Sequence, residues 1–373
     1  MKSVKIFYFS HVPWNWIKQR PQFIAEELSK YFSLDFFYFA SYNSKGLVSN
    51  PSNIKKYRIF KLPYKFVNKS TFISGLNNFL IKLQLNNRLK NYEIIWLTHP
   101  ILYKYIKGNL EKDKKILIYD CMDDALAFPQ LEPKIKKEIF SLEKLLCIDS
   151  QIIFVSSNNL KKVLMNRYRI SEEKIYVVNN GIDKNLCVER NLPPSIESFF
   201  NKNKNLKKLV YVGTISAWLD FDVIIESLNR YNNIEYLLFG PADVSIPLHK
   251  RLRHFNSVEH HLVFSILKKA DILVMPFKLN ALIESVDPVK VYEYISTGKP
   301  SLVKEYGETL KFKDFVFLYK NKEDYLSKLN LILNNNFNSL EINIKKREEF
   351  IENATWEKRV FKIKKIIENF IKK

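Results

Sequence analysis

Short runs of β-branched and aromatic residues alternate with longer segments that are apolar at three- and four-residue spacing. Several short runs are apolar at every position, which is typical of parallel strands covered by helices on both faces. The longer segments have the pattern of amphipathic helices. In the first half we predict strands over Val4–Ser10, Asp35–Ala40, Glu93–His99, Lys115–Cys121, Gln151–Ser157 and Lys174–Asn180. We predict helices over Gln19–Tyr31, Phe72–Lys90, Glu132–Cys147 and Asn158–Tyr168.

The alternation stops near residue 188 and then restarts. Residues 188–208 contain two adjacent prolines and a polar Asn/Lys run, which predicts a linker. Beyond it we predict strands over Leu209–Thr214, Glu235–Gly240, Asp271–Pro276, Ser301–Lys304 and Phe315–Tyr319. We predict helices over Asp220–Arg230, Leu262–Lys269, Pro288–Thr297, Lys322–Leu333, Leu340–Glu352 and Trp356–Ile371. This order predicts an α/β protein with two Rossmann-like, doubly wound domains.

Composition supports two domains and narrows the class of protein. The 373 residues suffice for two domains at roughly 100–200 residues each. Three cysteines form no close pair, which argues against a disulfide scaffold or a zinc ribbon. The net charge of +21 favours an anionic partner, namely nucleic acid, a membrane face or a phosphorylated substrate. Compositional drift towards Lys, Ile and Asn is an equally good explanation of that charge.

The chain lacks the pattern of a membrane-spanning or secreted protein. No apolar run reaches the roughly 18 residues that a spanning helix needs, so we expect a cytoplasmic protein, peripheral on the inner face of the cytoplasmic membrane if it meets a membrane. Residues 54–115 carry 14 Lys or Arg against 3 acids. One predicted helix there has an apolar stripe that either rests in a lipid interface or faces the core. The stripe comprises Phe72, Leu76, Phe79, Leu80 and Leu83, with Lys82, Arg88 and Lys90 nearby.

Ligands of open α/β sheets bind beyond the carboxyl ends of the strands, so the loops there hold the candidate chemistry. The loop after the first strand has no Gly-rich phosphate turn, which argues against dinucleotide binding. His11, Trp14, Trp16 and Arg20 in that loop, with His99 after a later strand, are candidate contacts for an acceptor or a phosphate. The alternative is a helix start with the tryptophans packed below it.

Three carboxylates end another strand. Asp120, Asp123 and Asp124 suggest a metal site, a base or charge stabilisation, and a helix cap explains only one of them. Asp220 opens a predicted helix, where capping is the better explanation. Residues 179–183 predict a turn with Gly181 at positive φ.

The stretch from Val286 to Pro300 is the most informative. It predicts a helix that starts at Pro288 and stops at Gly298. The amides of Val289 and Lys290 then form a diphosphate site, and Glu293, one turn on, is placed to accept two ribose hydroxyls. The alternative is a surface Lys–Glu pair of little energetic value. Four further candidates for the donor follow strands at the ligand-facing edge: Gly213, Thr214, Gly240 and Pro241.

In this order and spacing the motifs resemble GT-B glycosyltransferases, specifically glycosyltransferase family 4 and its bacterial surface-polysaccharide branch of the teichuronic-acid type. The match spans nearly the whole chain. It rests on Arg20-Pro21-Gln22, Tyr119–Asp124, Val178–Asp183, Val212-Gly213, Trp218, Asp220, Ala270-Asp271, Met275-Pro276-Phe277, Pro288–Pro300 and Ala354-Thr355-Trp356-Glu357.

The resemblance implies an enzyme that needs no metal or other cofactor and transfers a sugar with retention at the anomeric carbon. It implies an acceptor domain over 1–187, a linker over 188–208, a nucleotide-sugar domain over 209–352 and a last helix, 353–373, that returns to the first domain. The expected partners are a nucleotide-sugar donor, a lipid-linked or glycan acceptor and an anionic membrane surface, but no nucleic acid. Asp123 is our first candidate for the essential carboxylate, before Asp120 and Asp124.

Three departures from the family pattern stand out. Ser285 occupies the place of the first of two glutamates, with Glu284 one residue off. The segment Thr214–Trp218 lacks the usual Arg and Lys, so the diphosphate charge falls to Lys290 or Arg20. Aspartates stand where many relatives have a His. Another GT-B enzyme, such as a sugar-nucleotide epimerase, or a catalytically silent subunit is therefore the alternative reading.

Overall fold

The computed structural model describes residues 4–39, 54–63, 70–110, 115–334 and 344–372. The chain divides into two compact units, residues 1–179 with 359–373, and residues 180–358. Two predicted elements reach outside the described residues: Ala40 ends one predicted strand, and residues 340–343 begin one predicted helix.

A parallel sheet of seven strands, in the order β3-β2-β1-β4-β5-β6-β7, is the centre of the first unit as far as it is described. The strands are β1 Lys5–Ser10, β2 Ser33–Phe39, β3 Lys55–Ile59, β4 Ile94–Leu97, β5 Ile116–Cys121, β6 Ile152–Val155 and β7 Ile175–Val177. The helices are α1 Arg20–Leu28, α2 Thr71–Leu89, α3 Pro100–Ile106, α4 Pro133–Asp149 and α5 Asn158–Tyr168. The winding reverses between β1 and β4, where such sheets bind ligands.

Burial on both faces explains why these strands read as unbroken apolar runs. Every residue of β4 and β6 is buried. Phe7 and Phe9 share a core with Ile81 and other helical side chains on one face of the sheet. On the other face Tyr8 stacks on Trp96, with the ring centroids 5.3 Å apart. Aromatic stacking thus joins β1 to β4 at the point where the winding reverses.

The second unit repeats the plan with a parallel sheet of six described strands, in the order β10-β9-β8-β11-β12-β13. The strands are β8 Lys207–Val212, β9 Ile234–Phe239, β10 Leu252–Phe255, β11 Ile272–Met275, β12 Ser301–Lys304 and β13 Phe317–Tyr319. The helices are α6 Pro194–Asn201, α7 Phe221–Arg230, α8 His260–Lys269, α9 Ala281–Ser285, α10 Val289–Thr297, α11 Lys322–Leu333 and α12 Ile344–Asn353. The last helix, α13 Trp356–Ile371, begins in this unit and belongs to the first unit from Arg359 onward. The winding reverses between β8 and β11.

Five short elements were not predicted: β3, β10, α3, α6 and α9. The two strands lie at sheet edges and are rich in charged residues, so they lack the apolar runs of the inner strands. The prediction of a linker over 188–208 was wrong in one respect, because α6 lies within it and begins at Pro194. A proline at the first helical position loses no intrahelical hydrogen bond, so it favours a helix start here instead of a break.

The role predicted for Gly181 also needs correction. Its φ is not positive, in contrast to Gly298, which ends α10 at φ 70° as predicted. The strand-like pair of Ile182 with Thr355 brings another segment against Gly181. A Cβ on Gly181 would lie 2.9 Å from the Ala354 carbonyl oxygen. Close backbone approach therefore requires the glycine here.

Candidate functional site

Two histidines meet where the winding of the first sheet reverses. His11 follows β1 and His99 follows β4, and their ring centroids are 5.0 Å apart. His11 Nδ1 lies 2.8 Å from Thr98 Oγ1, and His99 Nδ1 accepts the Ile101 N–H at 3.2 Å. Burial lowers the pKa of His99 to about 4, and burial together with His99 lowers the pKa of His11 well below its usual range. Both rings are therefore neutral at pH 7 and offer hydrogen bonds, but no charge, to a ligand.

Arg20 and Asp120 form a buried ion pair. Arg20 Nε and Nη2 donate to Asp120 Oδ1 at 3.0 and 2.8 Å, and Nη1 donates to the Val178 carbonyl at 2.7 Å. The two side chains are only 2% and 1% exposed. The pair joins the start of α1 to the end of β5. The ligand roles predicted for both residues stay predictions, and the structure gives each of them an internal partner.

Asp124 belongs to a second buried network. Arg167 donates to both carboxylate oxygens of Asp124, at 2.8 and 2.6 Å, and lies 3.5 Å from Glu143. The hydroxyls of Tyr119 and Tyr168 each donate to Glu143 at 2.7 Å. Sequence reasoning missed Arg167 and Glu143 because both lie on helices far from Asp124 along the chain. No spacing in the sequence marks them.

Asp123 differs from its two neighbours. Its side chain is only partly buried, and no described residue forms a hydrogen bond or ion pair with its carboxylate. Burial, with a smaller contribution from the nearby Asp124 charge, raises the pKa of Asp123 to about 6 against the opposing charge of Arg20. Among the described residues, Asp123 is thus the one of these three carboxylates that no internal hydrogen bond or ion pair occupies. A raised pKa at a strand end is a common property of functional groups.

The two tryptophans of the first loop have different surroundings. Trp14 is 6% exposed, and its ring lies 4.8 Å from Phe36 and 4.4 Å below the Lys56 ammonium. Trp16 is 51% exposed. Trp14 is therefore packed against the protein, which was the alternative to a ligand role, whereas Trp16 is available to a ligand.

In the second unit two predicted glycines and one lysine come together. Gly213 ends β8 at φ 149° and Gly240 ends β9 at φ 142°, both strained for any other residue. A Cβ on Gly240 would overlap the Gly213 carbonyl, and one on Gly213 would overlap the Lys290 side chain. Lys290 Nζ lies 5.6 Å from the ring centre of Tyr211. The site needs glycine at both positions because two backbones and the lysine occupy the space.

Lys290 and Glu293 share one face of α10. Burial lowers the pKa of Lys290 while Glu293 opposes that shift, and burial raises the pKa of Glu293 to about 7 while Lys290 opposes it. Glu293 Oε1 is 3.9 Å from His260 Nε2, a contact that the sequence did not indicate. The Lys290 cation in the first turn of α10 and the Glu293 carboxylate one turn later form a matched pair for a phosphate and a diol.

A buried cluster holds the start of α10. The Asp287 carboxylate accepts the Asn180 N–H at 2.5 Å and the Tyr292 hydroxyl at 3.2 Å, and it pairs with Lys311. The Asn180 side chain donates back to the Asp287 carbonyl at 2.7 Å. Asp287 therefore fixes the segment before Val289 and does not cap the helix with its side chain.

The loops after β8 and β9 lie together. The Ile215 N–H donates to the Pro241 carbonyl at 2.8 Å, and the Tyr211 hydroxyl donates to the Thr214 carbonyl at 2.8 Å. His254, on the unpredicted edge strand β10, lies 2.8 Å from the Gly240 carbonyl oxygen through Nε2. Thr214 and Pro241 are exposed at this edge, as a donor contact requires.

Two further predictions concern carboxylates. Asp220 caps α7 by accepting the Val223 N–H at 3.3 Å, which confirms the capping prediction. Glu284 is exposed on α9, whereas Ser285 is buried. Among the described residues, no three His, Cys, Asp or Glu side chains are grouped to hold a metal ion.

Comparison with known proteins bears on the fold of the chain. No protein-family profile matches the chain. TuaH of Bacillus subtilis strain 168, provisionally named a teichuronic acid biosynthesis glycosyltransferase, is 26% identical over 222 residues. That alignment covers 54% of this chain and 54% of TuaH, so the chain spans about half the length of the curated relative it matches.

Solved structures extend the comparison to the whole chain. HepE of Anabaena in complex with UDP superposes with a TM-score of 0.72 at 12% identity, over 98% of this chain and 100% of HepE. Sucrose-phosphate synthase of Thermosynechococcus elongatus superposes with a TM-score of 0.75 at 11% identity, over 99% of both chains. The chain has the GT-B fold.

The GT-B fold confirms the predicted fold class and the predicted resemblance to glycosyltransferases. At these sequence identities the solved structures are evidence for the fold alone. The individual roles predicted for the site residues therefore rest on the geometry of each strand edge, and they stay predictions.

Proposed function

We propose that this protein is a glycosyltransferase that moves a sugar from a nucleotide-sugar donor to a lipid-linked or other glycan acceptor during bacterial surface polysaccharide synthesis. The GT-B fold and the name of TuaH support this proposal. Solved structures of HepE with UDP and glucose, and with UDP-glucose, support a UDP-sugar as the donor. We place the protein in the cytoplasm, peripheral on the inner face of the membrane, as part of the same proposal.

The observation that carries the proposal is the arrangement of Lys290 and Glu293 beside two obligatory glycines. A diphosphate at the start of α10 would meet the free amides and the Lys290 ammonium. Arg20 is bound to Asp120 and Val178, so Lys290 is the better of the two cations that we considered for the diphosphate. Glu293, one turn along the helix, would accept both ribose hydroxyls.

The proposed transfer breaks the bond between the anomeric carbon and the diphosphate oxygen, forms one to an acceptor hydroxyl oxygen, and passes the hydroxyl proton to the departing diphosphate. Lys290 and the α10 amides would stabilise the departing diphosphate. Asp123 is our candidate for the carboxylate that stabilises the positive charge developing on the sugar. The family resemblance favours retention of configuration without a metal, and this remains part of the proposal.

Thermal stabilisation by a panel of nucleotide sugars identifies the donor, because a ligand that binds only the folded state raises its stability. With that donor, Glu293→Ala should weaken affinity ten- to several-hundredfold in calorimetry, since two charge-assisted hydrogen bonds of roughly 1.5–3 kcal/mol each are lost. Glu226→Ala, on the exposed face of α7, is the matched control and should leave affinity unchanged. Unchanged affinity in E293A would contradict the donor site.

Product analysis separates this activity from the alternatives. A new glycoside supports the transferase, an isomerised donor would indicate an epimerase, and donor binding without either product would indicate a catalytically silent protein. Thermal stability of ligand-free E293A should match the unmodified protein, which distinguishes a lost contact from a lost fold.

A further inference from the structure

Helix α2 has apolar side chains on two opposite sides. Three of them, Ile81, Leu85 and Leu89, are buried in the core of the first unit. At about 100° per residue a second set lies on the opposite side of the helix. We call this set the outer stripe; it comprises Phe72, Leu76, Phe79 and Leu83.

The outer stripe is exposed along its whole length. Phe72 is 79% exposed and Phe79 is 62% exposed, and Leu76 and Leu83 also rank among the exposed large apolar residues. Scattered single apolar residues on a surface need no explanation, but four in helical register form one continuous strip. The core does not need these residues, because α2 already contacts it through its other side.

Two exposed lysines border the outer stripe. Lys90 follows α2 in line with the stripe and Lys82 flanks it, and both are exposed. Phe60, 50% exposed, lies alongside α2 because its backbone N–H and carbonyl bond the Gln84 side chain at 2.9 and 3.0 Å. The sequence from residue 54 to residue 110 carries 11 Lys or Arg and a single acid, Glu93.

We propose that the outer stripe lies in the interface of an anionic lipid bilayer, with Lys82 and Lys90 among the headgroups. An apolar strip bordered by cations matches such a surface, whose acyl boundary takes up the apolar side chains and whose charge attracts the lysines. A second copy of the chain fits less well, because it would bring its own excess of cations against this one. The inference deepens the proposed function, because it assigns a surface to the peripheral placement that is part of that function.

Flotation of the full chain with vesicles tests the inference without donor or acceptor. Binding to phosphatidylglycerol mixed with phosphatidylcholine should exceed binding to phosphatidylcholine alone. It should weaken as salt rises from about 0.1 to about 1 M, which shortens the Debye length from about 10 to about 3 Å. The variant F72S/F79S should bind at least about tenfold more weakly. The control L248S/F361S removes two exposed apolar side chains from elsewhere and should bind as the unmodified protein does.

A second pair of variants tests the charge. K82Q/K90Q should weaken vesicle binding by about tenfold or more, because each lysine near the surface contributes roughly 1 kcal/mol. The control K202Q/K204Q neutralises two exposed lysines of the second unit and should leave vesicle binding unchanged. Equal binding of F72S/F79S and its control would overturn the inference. The inference would also be overturned if the unmodified protein forms a dimer without lipid and F72S/F79S does not. That result would assign the outer stripe to contact with a second copy of the chain.

The same samples keep this inference separate from the proposed function. Donor affinity of F72S/F79S should equal that of the unmodified protein. Absence of donor binding by the unmodified protein would refute the transferase and leave the vesicle result intact. Absence of vesicle binding would refute the membrane surface and the peripheral placement, and leave the transferase intact.

Discussion

The carboxyl edges of the two sheets hold charged residues in contrasting states. In the first unit Arg20 is bonded to Asp120, and Asp124 is bonded to Arg167, so most of the charge is neutralised internally. In the second unit Lys290 and Glu293 share a helix face, and burial shifts the pKa of each towards its neutral form. A charged residue near a strand end therefore signals a ligand only when tertiary neighbours have not already paired it.

The largest effect should come from breaking the pairing in the first unit. Arg20→Ala leaves Asp120 buried without its cation, which should cost about 3–5 kcal/mol of the free energy of unfolding. Denaturant unfolding monitored on the first unit measures the loss. Lys30→Ala removes an exposed partner of Glu27 in the same unit and should cost less than about 1 kcal/mol. Similar costs for both variants would mean that Arg20 does not hold the edge together.

The second prediction compares Asp123, which has no internal partner among the described residues, with Asp124, which is paired with Arg167. Asp123→Asn should reduce turnover at least about tenfold, equivalent to about 1.4 kcal/mol of barrier, and leave stability equal or higher. Stability does not fall because the pKa of Asp123, about 6, lies above its ordinary value of 3.8, so the ionised form opposes folding at neutral pH.

Asp124→Asn is the matched comparison. It should lose about 1–3 kcal/mol of stability, because the Arg167 guanidinium loses its charged partner. Kinetics with the donor from the panel and denaturant unfolding measure the two properties on the same variants. Full activity in Asp120→Asn, Asp123→Asn and Asp124→Asn alike would eliminate an essential carboxylate at this edge.

The smallest effect concerns pH at the second edge. The pKa of Glu293, about 7, means that the carboxyl is mostly protonated at about pH 6 and mostly ionised at about pH 8. Only the carboxylate accepts two hydrogen bonds from a diol, so affinity for a UDP-sugar should rise by up to about tenfold over that range. A nucleotide sugar is the right probe because it has no terminal phosphate that titrates near pH 6. Glu293→Gln should make the calorimetric profile flat, and a profile that persists in E293Q would assign the titration to another group.

Most of the fold was predictable because apolar periodicity reports burial directly. The inner strands, such as β4 and β6, are buried on both faces and read as unbroken apolar runs. The edge strands β3 and β10 were missed because half of an edge strand faces water and their charged residues break that pattern. The helix within 188–208 escapes prediction because adjacent prolines usually mark a break, although one of them begins α6.

Local patterns in the sequence specify the two α/β units, the start and stop of α10, and the placing of Lys290 and Glu293 one turn apart. These features depend on spacing within one segment, so local chemistry suffices to specify them. Long-range contacts establish which carboxylates are paired, through Arg20 and Arg167, and which side of α2 is left exposed. Partners far apart along the chain meet only after the sheet forms, so no local pattern could distinguish Asp123 from the two aspartates beside it.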